Sequence, residues 1–426
     1  MQEKMRVALL NDSFPPFIDG VANVVSNYAR ILTENNCGVL VATPEYPGVT
    51  DRYPYPVLRY KSLDTTRLVG YRAGYPLLPG TVGAINDFRP HILHAHCPTA
   101  SALLARTARE STHAPVVFTY HTKYDIDIRT AIKNEKVQQS LIRALVRVVS
   151  AADEVWVVSR GAGQNLWDLG YEGDFRVMQN GADMPRGKAS ASDIAALRAQ
   201  HNLQADIPIL LFAGRMRWYK GIELILRGLA IVKAQGVPFR MVFVGDGQDL
   251  GEIQALCQQL QLDDYCIFAG AVQGRSLLRT YYSAADLFLF PSTFDTNGLV
   301  VREAAACCLP SLLVRGSCAA EGVTHMENGL LMEETAEDLA RQVIDACRHR
   351  EALKKLGENA QRDVYISWET AIGCAQERYA QIIEEQKKPK TDRVFPVVSD
   401  LLEAAIRLQE WQEELREKGR GKSEKG

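Results

Sequence analysis

Short apolar runs alternate with longer helical stretches along most of this chain, and that alternation limits its fold more than any other feature. In the first half the runs at residues 6–11, 39–43, 92–96, 116–120, 155–159 and 176–179 read as strands. A second series follows at residues 209–213, 240–245, 266–269, 286–290 and 311–314, with a short strand at 329–332. Strands that alternate with helices predict parallel, doubly wound sheets, and such sheets bind ligands at the C-terminal edges of their strands. Two series of similar size predict two Rossmann-like α/β domains facing across a cleft. The length of 426 residues suits two or three domains.

The boundaries follow from composition. Residues 1–185 form the first domain, and the polar, weakly patterned stretch 186–206 reads as a linker. Residues 207–365 form the second domain. The amphipathic helix at 366–386 is expected to pack back on the first, and 387–426 to be a charged tail with a helix near 396–417 and a disordered end.

The richest stretch is FDTNGLVVRE, residues 294–303. It joins a buried strand to an Ala-rich helix that Pro310 ends. Asp295 and Glu303 flank seven residues, with Asn297 and Gly298 at the handover from strand to helix. Glycine permits close backbone approach, and free N–H groups at a helix start attract anions. A carboxylate within that helix can accept from both hydroxyls of a ribose. The plain alternative is an ordinary strand–turn–helix with two surface acids.

Other features bear on chemistry. Arg215 closes a strand and Lys220 opens the next helix, a pairing of guanidinium fork and point charge that suits a diphosphate, or else surface charge on a loop. Gly245-Asp246-Gly247 also follows a strand but lacks the spacing of a dinucleotide fingerprint. In the first half, the loop DSFPPFIDG places Gly20 at a helix start, and His121 ends a strand in TYHTKYD. His94 and His96 read as structural or edge residues, not metal ligands. Finally, Lys133, Lys136, Arg143 and Arg147 fall on one helical stripe, beside Val137, Leu141, Leu145 and Val148. A basic amphipathic helix can lie on an anionic membrane surface, or can simply keep its apolar side in a core.

Composition removes several classes. A net charge of −2 gives no reason to expect nucleic acid. The apolar run near the start is too short for a signal peptide or a membrane span. Nine scattered cysteines with no CxxC pair read as buried reduced thiols of a cytosolic protein, not as a zinc site or disulfide framework.

The segments GRMRWYKG, SAADLFLFPS, FDTNGLVVREAAACCLP and GVTHMENGLL, in this order, resemble the family 4 retaining glycosyltransferases of GT-B fold. The resemblance spans roughly residues 5–386. It implies that Arg215 and Lys220 hold the donor diphosphate, that Glu303 holds the ribose, and that Asp295 faces the donor sugar. Backbone N–H groups near Asn297, Gly298 and Leu299 would reach sugar and phosphate, with Gly20 and His121 completing the site. The chain departs from the pattern at Asp295, where the family usually has Glu, one methylene longer.

The resemblance further implies a UDP- or GDP-sugar donor with no cofactor, retention at the anomeric carbon and no metal. FPPFIDGVANVV, TYHTKYD and the basic helix look most like enzymes that glycosylate diacylglycerol or phosphatidylinositol. A lipid acceptor, an anionic membrane partner and a peripheral place on the inner face of the cell membrane follow as expectations. A soluble acceptor, a GT-B nucleotide-sugar epimerase and an inactive membrane-bound scaffold stay open. A nicotinamide dehydrogenase is disfavoured by the missing fingerprint.

Overall fold

Arg6–Leu10 (β1) is apolar along its length, and Val7, Ala8, Leu9 and Leu10 are fully buried. Burial on both faces belongs to a strand inside a parallel sheet covered by helices on each side. In the computed structural model, which describes residues 4–17, 19–66 and 72–386, that is where it lies. The helix expected near 396–417 and the disordered end fall outside the described residues.

β1 pairs in parallel with Gly38–Pro44 (β2), so that Ala8 faces Leu40, and β2 pairs with Val57–Tyr60 (β3). A two-residue antiparallel pair, Ser62–Leu63 (β4) with Ala73–Gly74 (β5), follows. On its other side β1 pairs with Ile92–Ala95 (β6). Then come Val116–Tyr120 (β7), Glu154–Val157 (β8) and Arg176–Val177 (β9). The seven strands run in the order β3-β2-β1-β6-β7-β8-β9.

The second sheet is built from Ile209–Ala213 (β10), Arg240–Val244 (β11), Cys266–Gly270 (β12), Leu287–Phe290 (β13), Ser311–Val314 (β14) and Leu330–Met332 (β15). Its order is β12-β11-β10-β13-β14-β15, again all parallel. Phe212, Phe243, Phe288 and Phe290 fill its centre. Each fully buried aromatic or aliphatic side chain contributes roughly 1.5–3 kcal/mol relative to exposure. Strand order reverses between β1 and β6 in the first sheet and between β10 and β13 in the second. At such reversals the adjoining helices leave a crevice beyond the strand C-termini.

The chain divides into two compact units. The first runs to Met178 and resumes at Ile372; the second is Gln179–Ala371. The expected linker, 186–206, lies inside the second unit and is partly helical. Ser190 accepts from the Asp193 N–H and starts the helix Ala191–Gln200. Ala189 N–H donates to Ser283 Oγ and Arg198 to the Ala284 carbonyl, which fasten the segment to the helix Arg275–Ala284. With only Leu197 buried, that helix shows no apolar stripe to reveal it.

The last described helix, Trp368–Gln386, returns to the first unit. Ile372, Ala375, Tyr379 and Ile382 recur at helical spacing and are buried. Tyr379 stacks on Trp156 at 5.2 Å, and the Arg378 Nε donates to both Glu154 oxygens at 3.0 Å. All nine cysteines are free, but Cys374 is exposed and only Cys37, Cys257, Cys307 and Cys318 are buried, so the expectation of uniformly buried thiols is corrected.

Candidate active site

Both strands flanking the reversal in the second sheet deliver predicted site residues. Gly214 and Arg215 follow β10, and the Arg215 guanidinium is exposed with no protein partner among the described residues. The loop that carries it is packed against the turn after β11. A Cβ on Gly245 would sit 1.9 Å from the Gly214 carbonyl oxygen, so close packing there requires a glycine.

Lys220 ends a short 3-10 turn, Trp218–Lys220, and is only 9% exposed. A buried lysine needs a partner. Its Nζ donates to Asp295 Oδ1 at 2.6 Å, while Ser292 Oγ donates to Asp295 Oδ2 at 2.5 Å. The ammonium also lies over the Tyr219 and Phe290 rings, at 5.5 and 5.7 Å. The structure thus brings Lys220 and Asp295 together and engages both Asp295 oxygens within the protein.

β13 leads through this loop to the helix Leu299–Ala306. Gly298 stands just before it at φ +60°, left-handed backbone that glycine adopts without strain. A Cβ there would press on Ala319 at 2.8 Å. No side chain caps this helix, which leaves the Leu299 and Val300 N–H groups open to an anion. Beside them, Asn297 is buried. Its Oδ1 accepts from Arg302 Nε at 3.3 Å, which turns its Nδ2 into a buried donor with no partner among the described residues. Arg302 is itself buried, donates to the Val364 carbonyl at 3.1 Å, and has its pKa pulled down to about 10 by that burial. Sequence reasoning missed it, although it is the residue that sets the Asn297 amide.

Glu303 is 7% exposed, and each of its oxygens has one partner. Arg275 Nη1 donates to Oε1 at 2.8 Å and Tyr282 Oη to Oε2 at 3.0 Å. Burial raises its pKa, against the opposing pull of Arg275 and Tyr282. Arg275, nearly half exposed, also reaches Asp183 at 2.8 Å. Neither Arg275 nor Tyr282 was singled out from the sequence.

In the first unit, Asp19 caps the helix Gly20–Glu34 by accepting from the Ala22 N–H at 2.7 Å. Gly20 is exposed, and among the described residues beyond its chain neighbours and own helix no atom lies within 4 Å of where its Cβ would be. Arg59, clamped by Asp51 at 2.7 and 2.8 Å, donates to the Pro15 carbonyl at 2.6 Å and holds the preceding loop.

His121 follows β7 and is buried, and it joins a cluster with His94 and His96. Burial pushes all three imidazoles down, His121 to about 3. They are neutral at ordinary pH.

The basic stripe is shorter than expected. Asn134 caps the helix Glu135–Ser150 by accepting from the Lys136 and Val137 N–H groups, which leaves Lys133 before the helix. Lys136, Arg143 and Arg147 form the exposed stripe. Ile142, Leu145 and Val149 face the core, and Val137, Leu141 and Val148 lie half-buried between core and cations. Among the described residues no helix is long and apolar enough to cross a membrane.

Two family models match. One, glycosyltransferase family 4, covers residues 18–186, and the other, glycosyl transferases group 1, covers 193–363. An alpha-monoglucosyldiacylglycerol synthase of Streptococcus pneumoniae is 25% identical over 72% of this chain and 70% of its own. A sulfoquinovosyl transferase of Arabidopsis thaliana is 26% identical over 93% of this chain and 78% of its own. The Anabaena protein HepE, solved in complex with UDP, superposes with a TM-score of 0.70 at 20% identity, covering 88% of this chain and all of HepE.

Proposed function

The chain belongs to the family 4 glycosyltransferases of GT-B fold and is a hexosyltransferase, and on that premise we propose that it moves glucose or mannose, with retention, from UDP or GDP to a membrane lipid hydroxyl. The observation that carries the donor half is the uncapped helix start at Gly298, with Lys220 bonded to Asp295 three residues before it. There the diphosphate takes the helix N–H groups, the Lys220 ammonium and the unpaired Arg215 guanidinium. The buried Asn297 Nδ2 supplies one further donor to a phosphate or sugar oxygen.

In this reading the acceptor hydroxyl attacks the anomeric carbon on the face the diphosphate leaves. The bond from that carbon to the diphosphate oxygen breaks, and the acceptor proton passes to a diphosphate oxygen. No protein nucleophile is needed, and the protein's part is positioning and charge stabilisation. Arg215, Lys220 and the helix start supply the positive charge that a metal would otherwise bring. Asp295 holds Lys220 in place and, being short, reaches less far toward the sugar than Glu would. By the family resemblance, His121 and Gly20 act on the sugar.

Glu303 binds the ribose diol with the lone pairs that Arg275 and Tyr282 leave free. Glu303→Gln is expected to weaken nucleoside diphosphate binding by about 1–3 kcal/mol. Calorimetry with UDP and GDP measures it, and unchanged affinity removes Glu303 from the site.

The lipid acceptor is supported by the pneumococcal relative's name and by the exposed Lys136, Arg143 and Arg147. The test is transfer from UDP-glucose and GDP-mannose onto diacylglycerol, in vesicles with and without anionic lipid, in excess EDTA. Expected are an α-linked product by NMR, activity that survives EDTA, and vesicle binding that salt releases, because charge attraction is screened within about 10 Å at 0.1 M salt. Changing Lys133, Lys136, Arg143 and Arg147 to Gln is expected to abolish vesicle binding and leave UDP binding intact. An inverted product, a magnesium requirement, or equal vesicle binding by the variant contradicts the corresponding part of the reading.

A further inference from the structure

We propose that His96 is a positioning residue for His121, holding it as the tautomer protonated on Nδ1; the proposal rests on the reading above, in which His121 meets the donor sugar. His96 is fully buried, and its Nδ1 lies 3.0 Å from His121 Nε2. Its other nitrogen, Nε2, is buried with no hydrogen-bond partner among the described residues.

The bond between two neutral imidazoles needs one donor and one acceptor, which leaves two arrangements. If His121 donates, the His96 proton sits on Nε2 and becomes a buried N–H with nothing to receive it. If His96 donates from Nδ1, its Nε2 keeps only an unused lone pair. Orphaned buried N–H groups are the rarer and costlier of the two. The second arrangement therefore holds, and His121 carries its proton on Nδ1, the nitrogen not facing His96.

The surroundings keep His96 from escaping this choice by turning. Its ring lies 3.9 Å from that of His94 and stacks on His121 at 5.3 Å, 19° from parallel. Tyr28 meets it edge-on at 5.6 Å. His94 is itself fixed at both nitrogens, by Tyr379 Oη at 2.5 Å and Thr119 Oγ1 at 2.7 Å. The helix Trp368–Gln386 thus braces, through Tyr379 and His94, the ring that orients His121. Burial holds all three rings neutral, which keeps each of these bonds a donor–acceptor pair.

A structural role and a positioning role separate in two variants. In histidine Nδ1 is two bonds from Cβ, as is the amide nitrogen of Asn; Nε2 is three bonds away, as in Gln. His96→Asn can therefore still donate to His121 Nε2, whereas His96→Gln places its amide where His96 has no partner. On UDP-glucose and GDP-mannose, His96→Gln is expected to lower kcat by about tenfold or more with the donor KM little changed, while His96→Asn stays within about threefold of wild type. Packing alone predicts the opposite order, since Gln is nearer to His in volume. Equal losses in the two variants, or a greater loss in Asn, overturn the proposal.

Nitrogen-15 NMR of the imidazoles in the full chain gives a second readout that needs no activity. The His121 Nδ1 is expected to be protonated and its Nε2 not, and the reverse overturns the proposal. A chain that turns over neither sugar nucleotide would refute the proposed glucose or mannose donor, while the tautomer signal still decides this inference.

Discussion

Arg215→Ala and Lys220→Ala are each expected to lower turnover by about a hundredfold or more, because each removes a charge contact that strengthens as the diphosphate leaves. The two should differ in stability. Arg215 is exposed, and its guanidinium makes no hydrogen bond or ion pair among the described residues, so its loss is expected to leave the melting temperature unchanged. Lys220→Ala strands the Asp295 carboxylate in a site where, among the described residues, only Ser292 remains as partner. That is expected to cost about 1–3 kcal/mol of stability. The double change Lys220→Ala with Asp295→Ala should recover stability but not turnover. Donor hydrolysis and thermal melting on the same samples measure both, and near-normal turnover in either folded single variant would sink the diphosphate assignment.

Acid is expected to loosen the first unit well above the pH at which carboxylates titrate. The unfolded chain takes up protons on His94, His96 and His121 near the ordinary imidazole pKa of about 6.5, whereas the folded cluster does not, with His121 held to about 3. The stability these three confer is therefore present above about pH 6.5 and is lost progressively as pH falls toward the folded values. Below about pH 6.5 each imidazole is worth about 1.4 kcal/mol per pH unit, and above it little, so a fall from about pH 7.5 to about pH 5.5 should remove on the order of 4 kcal/mol. Denaturant unfolding followed by the fluorescence of Trp156, which packs against His94 at 5.1 Å, reads the effect. His96→Asn, which deletes one imidazole, should reduce the slope by about a third. A stability that is flat across this range would mean that the three rings exchange protons freely with solvent.

The sheet strands were legible because burial on both faces leaves uninterrupted apolar runs such as LLFA in β10 and FLF in β13. β3 was not. Its VLRY follows Pro54 and Pro56 and includes Arg59, and prolines beside a charged residue read as loop. The helix Ala191–Gln200 was hidden for the opposite reason, since a good cap at Ser190 opens a segment with no apolar stripe. At the site, Asp295, Asn297, Gly298 and Glu303 are close in sequence, and spacing alone proposed them. Arg275 and Tyr282 reach Glu303 from 28 and 21 residues away, a meeting that only the packing of two helices creates. Arg302 could have been found, because a cation inside the Ala-rich run AAACC's helix has to bond something buried.

The return of Trp368–Gln386 to the first unit gives the chain a schedule. Ribosomal synthesis proceeds at about 5–20 residues per second, so the roughly 200 residues of the second unit separate β9 from the helix that finishes the first unit by on the order of 10–40 s. Throughout that wait Trp156 lacks the Tyr379 ring, Glu154 lacks Arg378, and His94 lacks its phenol. A nascent chain therefore carries an aromatic surface and a histidine ladder still short of their last partner, and its first half matures only after its second half has been made.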